Sequence, residues 1–206
     1  AVARDNQEVL DRAATIVVAL RAEDAAGILR ALAFRADHLV VTVIGTMARD
    51  AVAALVAPAS RVVRAGPTPS AARRQGPVPY FPRDAEAAGL VARMGAPIAV
   101  ADEREFHLLW CLVSLIATHY ALLEDAACWA AEQGVDPARA RAFLAAQAKA
   151  LGEAGAGGDF AARREAAATK GGLNQQALDV FRAHGGGEAL RRALESVWAR
   201  LARLSG

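Results

Sequence analysis

Apolar positions are distributed along this chain in two regimes. In the first hundred residues they form short unbroken runs: TIVVAL at 15–20, HLVVTVIG at 38–45 and RVVRAG at 61–66. Each run is rich in β-branched residues and lacks alternation, which predicts strands buried on both faces. Between them, residues 23–33 place Ala26, Ile28, Leu29 and Leu32 at helical spacing, and residues 48–56 read as a second helix. Strand, helix, strand, helix, strand with short links predicts a parallel, doubly wound sheet. Residues 6–13, polar and short, read as a helix end. GPVPYF at 76–81 suits an edge or irregular strand because of its prolines. A short helix opened by Pro82, Arg83 and Asp84 follows, and APIAVAD at 96–102 is a last short strand.

The second regime starts at residue 103. Residues 103–133 contain no Pro or Gly, and no Asp, Glu, Lys or Arg lies between Phe106 and Leu123. The stretch reads as one helix of roughly 45 Å, apolar nearly all round, which must be covered on most sides. Lipid and protein are the two possible covers. His107, Ser114, Thr118 and His119 interrupt the run, its flanks are acidic and no aromatic or basic belt marks an interface, so protein is expected. The cover should come from later helices and a second copy of the chain. Asp136 and Pro137 open the next helix as N-cap and first-turn residue. Shorter helices follow, at 160–168 and 175–184, with Gly185, Gly186 and Gly187 as a breaker. The last helix has a stripe of Leu190, Leu194, Val197, Leu201 and Leu204, with Arg191, Arg192, Arg200 and Arg203 away from it. Such a stripe is ordinary core packing or a dimer seam.

Composition narrows the partners. The 206 residues are 54% hydrophobic with a net charge of +2, and no basic stripe interleaves with aromatics, so no nucleic-acid partner is expected. Cys111 and Cys128 lie about 25 Å apart along the long helix, too far for a disulfide, and read as buried thiols in a reducing, cytoplasmic setting. His107 and His119, about 120° apart round a helix, cannot share a metal, and no HExxH or CxxC is present, so no metal is expected. The glycines at 155, 157 and 158 follow no strand and do not have dinucleotide-turn spacing.

Ligands of a doubly wound sheet bind outside the carboxyl ends of its strands. Those ends are Ala19-Leu20-Arg21, Ile44-Gly45-Thr46 and Ala65-Gly66-Pro67-Thr68. Arg21 could meet an anionic cofactor there, or be a solvated arginine that begins a helix. Farther along, Gly171 and Gly172 permit a tight turn with exposed backbone N–H groups, flanked by Thr169 and Asn174.

In residue order the chain resembles the pyrroline-5-carboxylate reductase family. NQEVLDRAATIVVALRA matches the family segment in which an Asn precedes a strand ending Ala-Val-Lys-Pro. RVVRAGPTPS stands for its Arg-Val-Met-Pro-Asn-Thr-Pro, and ATKGGLN for its Thr-Ser-Pro-Gly-Gly-Thr-Thr loop. The resemblance implies an α/β part followed by an all-α part: a partial Rossmann-type NAD(P)-binding parallel sheet at 1–102 and a helical dimerisation and substrate-binding domain at 103–206. It implies NADP or NAD as cofactor, met by Asn6, Ala19, Leu20, Arg21, Gly45, Gly66, Pro67 and Thr68. Thr169 and Asn174 would act on the substrate, a small imine or carbonyl compound held at Lys170, Gly171, Gly172 and Leu173. Arg21 replaces a Lys, Gly66-Pro67-Thr68 replaces Met-Pro-Asn, and Lys170 replaces a Pro, changes that imply a different, still anionic substrate. The family begins with a strand and a Gly-x-Gly-x-x-Gly turn that the sequence lacks. On the order of 60 residues, two βα units, are therefore expected to be missing, and this chain alone should bind a dinucleotide poorly. Two other readings fit the plan: a hydroxyacid dehydrogenase, disfavoured because the first helix of the second part lacks a Lys, and a non-catalytic dimeric scaffold or ligand sensor.

Overall fold

The computed structural model describes residues 2–204; residues 1, 205 and 206, and the side chain of Leu204 in the predicted stripe, lie outside the described part. The chain divides into two compact units. One holds the residues up to Val113 and those from Ser196 onward, and the other is 114–195.

The first unit is built on a five-stranded sheet in the order β1-β2-β3-β4-β5. Helix α1 (Asn6–Arg12), N-capped by Asp5, leads into β1 (Thr15–Val18). Then come α2 (Ala22–Arg30), β2 (Leu39–Thr42), α3 (Arg49–Leu55) and β3 (Arg61–Ala65). These three strands are parallel, as the apolar runs predict. Ile16, Val18, Val40 and Val62 face one way and pack with Leu10, Leu29 and Val52 of α1, α2 and α3. The opposite face carries Val41, Val63 and Ala65 against Ala87 and Val91 of α4 (Ala85–Val91).

Two predictions for the sheet need correction. β4 (Pro77–Phe81) is neither an edge nor irregular: it lies between β3 and β5 (Ala96–Ala99), antiparallel to β3 and parallel to β5. Proline loses only its donor, and Pro79 serves as an acceptor, taking the Gly66 N–H at 2.9 Å. The reversal also explains why α4 lies on the other face. Crossovers between parallel strands are right-handed, so a chain that still progresses the same way across the sheet, but runs in the reverse direction, must cross on the opposite side. β1, in turn, is not buried on both faces, since Val17 is 45% exposed. Val17 shares the face of Val41 and Val63, and α4 meets β1 only at Thr15, whose hydroxyl donates to Glu86, which leaves Val17 open.

The expected single long helix is interrupted. α5 (Glu103–Val113) and α6 (Leu115–Glu132) are separated at Ser114, whose backbone stays helical at φ −63° and ψ −15°. In the second unit α6 packs along α7 (Pro137–Ala154), which starts at the Asp136 cap as predicted. α8 (Phe160–Ala167), α9 (Leu173–Ala183) and the start of α10 (Gly186–Leu204) complete it. Gly185, at φ +77°, makes the break, while Gly186 and Gly187 already belong to α10.

The later helices do not cover α6. Ala127 is its only buried residue among those described, and Tyr120 and Trp129 are 69% and 65% exposed. Cys128, expected to be buried, is exposed for the same reason, whereas Cys111 is buried. The run Glu103–Glu132 is long and apolar enough to cross a membrane.

Burial predicts where stability resides. Leu39→Ala, at a site 1% exposed, should cost about 2–5 kcal/mol in urea unfolding. Val17→Ala should change it by less than about 0.5 kcal/mol.

Candidate functional site

β3 places a cation where the sheet is fully covered. Arg64 has no exposed surface, and a buried charge must be paired. Its Nη1 makes an ion pair with Glu103 and lies 2.7 Å from His107 Nε2. Its Nη2 donates to the Gly45 carbonyl at 2.7 Å, and its plane lies 4.3 Å from the centre of the Phe106 ring. Glu103 also accepts the Arg49 backbone N–H at 3.4 Å. One guanidinium therefore joins the end of β2, the end of β3 and the first turns of α5, with α3 linked through Glu103. Because Arg64 donates, His107 accepts through Nε2 and is neutral. Burial, reinforced by the Arg64 charge and opposed by Glu103, holds the His107 pKa below its usual value.

The next turn of α5 closes over the same strand ends. Phe106 is fully buried, and Trp110, four residues on, stacks on it at an interplanar angle of 18°. A Cβ on Gly66 would lie 2.7 Å from the indole, and one on Gly45 would lie 3.0 Å from it. A side chain at Gly66 would collide with Trp110, and one at Gly45 would require the indole to give by a few tenths of an ångström.

The predicted cofactor residues separate into two groups. Asn6, Ala19 and Leu20 line one hollow of about 240 Å³ with Val9, Val18 and Phe34, beside β1. Arg21 caps α2 and is paired with Glu23 at 3.2 Å and Asp24 at 2.7 Å, in the manner of a solvated helix-starting arginine. Gly45 and Gly66 lie beneath Trp110, while the Thr68 side chain is buried and bonded to Ser70 at 2.6 Å. Pro67, between them, is half-buried.

The predicted substrate residues lie in the second unit. Thr169, Lys170 and Gly171 form an exposed turn closed by Gly172 N–H donating to Thr169 O at 2.9 Å, with Gly171 at φ +75°. The Gly172 N–H is thus engaged within the turn. Leu173 and Asn174 belong to the first turn of α9, not to the loop. Gly172 is the N-cap and supplies no side chain, so no N-cap side chain takes the first N–H groups of α9, an arrangement suited to an anion. Asn174 Nδ2 donates to Ala167 O at 3.2 Å and ties the turn to the end of α8.

Sequence reading missed Arg64, Glu103 and Trp110, and considered His107 only as a metal ligand. The available signal was an arginine inside an apolar strand, which requires a partner, and a Glu–His pair at i,i+4 opening the next apolar helix.

Glu103→Gln leaves the Arg64 charge buried without its counter-ion and should cost roughly 3 kcal/mol in denaturant unfolding. His107 binds its proton less readily when folded than at the 6.5 of the free side chain. Its contribution to stability is therefore complete above that pH and is lost as the pH falls below it. Unfolding measured from about pH 7.5 to about pH 5 should show a steeper acid-side loss for the wild type than for His107→Gln.

Residues 104–204 match the family model for the dimerisation domain of pyrroline-5-carboxylate reductase. No curated protein matches the sequence. Three similar solved structures are pyrroline-5-carboxylate reductases. That of Streptococcus pyogenes is 16% identical with a TM-score of 0.84, over 97% of this chain and 80% of that one. That of Coxiella burnetii is 19% identical with a TM-score of 0.86, over 99% and 80%. The Plasmodium falciparum enzyme, solved with NADP bound, is 13% identical with a TM-score of 0.86, over 99% and 82%. At these identities the likeness is one of fold: a mixed sheet followed by helices. The helical part, residues 104–204, thus belongs to the pyrroline-5-carboxylate reductase dimerisation family, and the chain as a whole shares the fold of pyrroline-5-carboxylate reductases.

Proposed function

We propose that the protein is a cytoplasmic, homodimeric, NAD(P)H-dependent reductase that acts on the C=N bond of a small cyclic imine bearing an anionic group. The observation that carries this reading is the family match over residues 104–204. The exposed apolar surface of α6, to which Tyr120 and Trp129 contribute on opposite sides of the helix, would be covered by a second copy rather than by lipid. The free thiol of Cys128 suits a reducing compartment.

The residues present fit part of a dinucleotide. The hollow lined by Asn6, Ala19 and Leu20 is apolar with one amide at its edge, which suits the adenosine end. Gly45, Gly66 and Pro67, at the ends of β2 and β3, would flank the other end. A bound reduced nicotinamide supplies the hydride. The chain's own part is positioning. The Gly171 N–H and the first-turn N–H groups of Leu173 and Asn174 would hold the substrate's anionic group, Lys170 would add attraction, and Thr169 would donate a hydrogen bond. An imine that arrives protonated accepts the hydride at carbon, its nitrogen keeps the electron pair of the broken π bond, and a secondary amine leaves with no further acid needed.

The test is a panel of cyclic imines with NADH and NADPH, followed by loss of the reduced-nicotinamide absorbance. Turnover of carboxylate-bearing imines is expected. A dimer that binds but reduces none of them would be the scaffold instead. Lys170→Ala and Asn174→Ala should each raise KM for the imine roughly tenfold and leave KM for the nicotinamide nearly unchanged.

A further inference from the structure

We propose that Trp110 is the specificity-determining wall of the reductase site, setting the size of the ring accepted at the ends of β2 and β3. This rests on the function proposed above and adds to it a residue that limits which imines enter.

Three observations carry it. The indole lies against both Gly45 and Gly66, the residues just beyond the two central parallel strands, where a doubly wound sheet receives its ligand. It is held in place: Phe106 beneath it is fully buried, the rings are stacked, and the Arg64 guanidinium lies against Phe106 in turn. Trp110 is nevertheless only half-buried, so part of it remains accessible while it lies over the two strand ends. A rigid, partly accessible aromatic residue sets a fixed boundary for a ring placed beside it. Each added methylene must then move Trp110, and moving Trp110 disturbs the stack down to Arg64. The indole face also attracts the positive charge of a protonated imine.

The experiment compares five-, six- and seven-membered cyclic imines with wild type, Trp110→Ala and Trp110→Phe, each checked for dimer formation and circular dichroism. The wild type should favour the smallest ring. Trp110→Ala should raise kcat/KM for the larger rings relative to the smallest by about tenfold or more, with Trp110→Phe intermediate. A second readout uses Trp129→Phe with Trp198→Phe, which leaves Trp110 as the sole indole, and follows its emission as the corresponding cyclic amines are added. Turnover with an unchanged ring preference in both Trp110 variants, and no emission response, overturns the Trp110 assignment alone. An emission response graded by ring size without turnover overturns the reductase reading and keeps the wall. Neither turnover nor response overturns both.

Discussion

A positive charge with no exposed surface sits at the carboxyl end of β3, and much of the first unit is arranged to neutralise it. Arg64 takes a backbone carbonyl from beyond β2, a carboxylate and an imidazole from α5, and the face of a phenylalanine. Each partner satisfies the cation, and each is fixed by it. A hydrophobic residue of similar volume could fill the space, and such replacements are often neutral or better for stability. What they cannot do is specify direction. The guanidinium presents donors in a fixed fork, so it sets the register of α5 against two strand ends as well as its proximity to them. Burial lowers the guanidinium's pKa while Glu103 raises it; the arginine stays charged in any case, and the carboxylate offsets the cost of burying that charge.

That register determines what lies over the strand ends. Four residues separate Phe106 from Trp110, one helical turn, so the ring stacked on Phe106 must project over Gly66 and Gly45. The two glycines give up side-chain packing at the edge of a well-filled core, and the indole regains it. Chirality acts in the same economical way on the rest of the sheet. Once β4 reverses, right-handed crossing sends α4 to the far face, which leaves the first face to α1, α2 and α3 and room beside α3 for the Arg64 cluster.

The parallel core of this fold was legible because its signals are local. Uncharged β-branched runs gave β1, β2 and β3, and the intervening periodicity gave α2 and α3. The Asp136–Pro137 start of α7 was legible for the same reason. The failures all concern information that is not local. β4 looked like an edge because proline cannot donate, but only its acceptors are needed where it meets β3. β1 looked fully buried because its composition is apolar, but the extent of α4 decides what covers Val17. Cys128 looked buried because α6 is apolar, but one chain leaves that side of α6 open. Of the candidate site, the strand-end glycines were legible from where a doubly wound sheet binds its ligands and the Thr169–Asn174 turn from its paired glycines, and the resemblance gave each a role. The Arg64 cluster was not found, since it joins residues 39 and 43 positions apart, and no period in the sequence relates a strand charge to a helix that distant.

The exposed apolar surface of α6 and the uncapped start of α9 are both open features of the chain. Apolar surface on this scale is stable in water only if another surface covers it, and an unpaired set of helix-start N–H groups is satisfied by water or by an anion. The two features differ in what completes them: the first calls for a covering surface of matching shape, whereas the second is satisfied by water and is open to a negatively charged group. The first unit contrasts with this, since the buried Arg64 charge is paired with Glu103 of the same chain, although its Nε has no partner among the described residues. A catalyst that works by positioning needs that division. The strand ends must be held rigidly before any ligand arrives, and the groups that receive the ligand must remain open until it does.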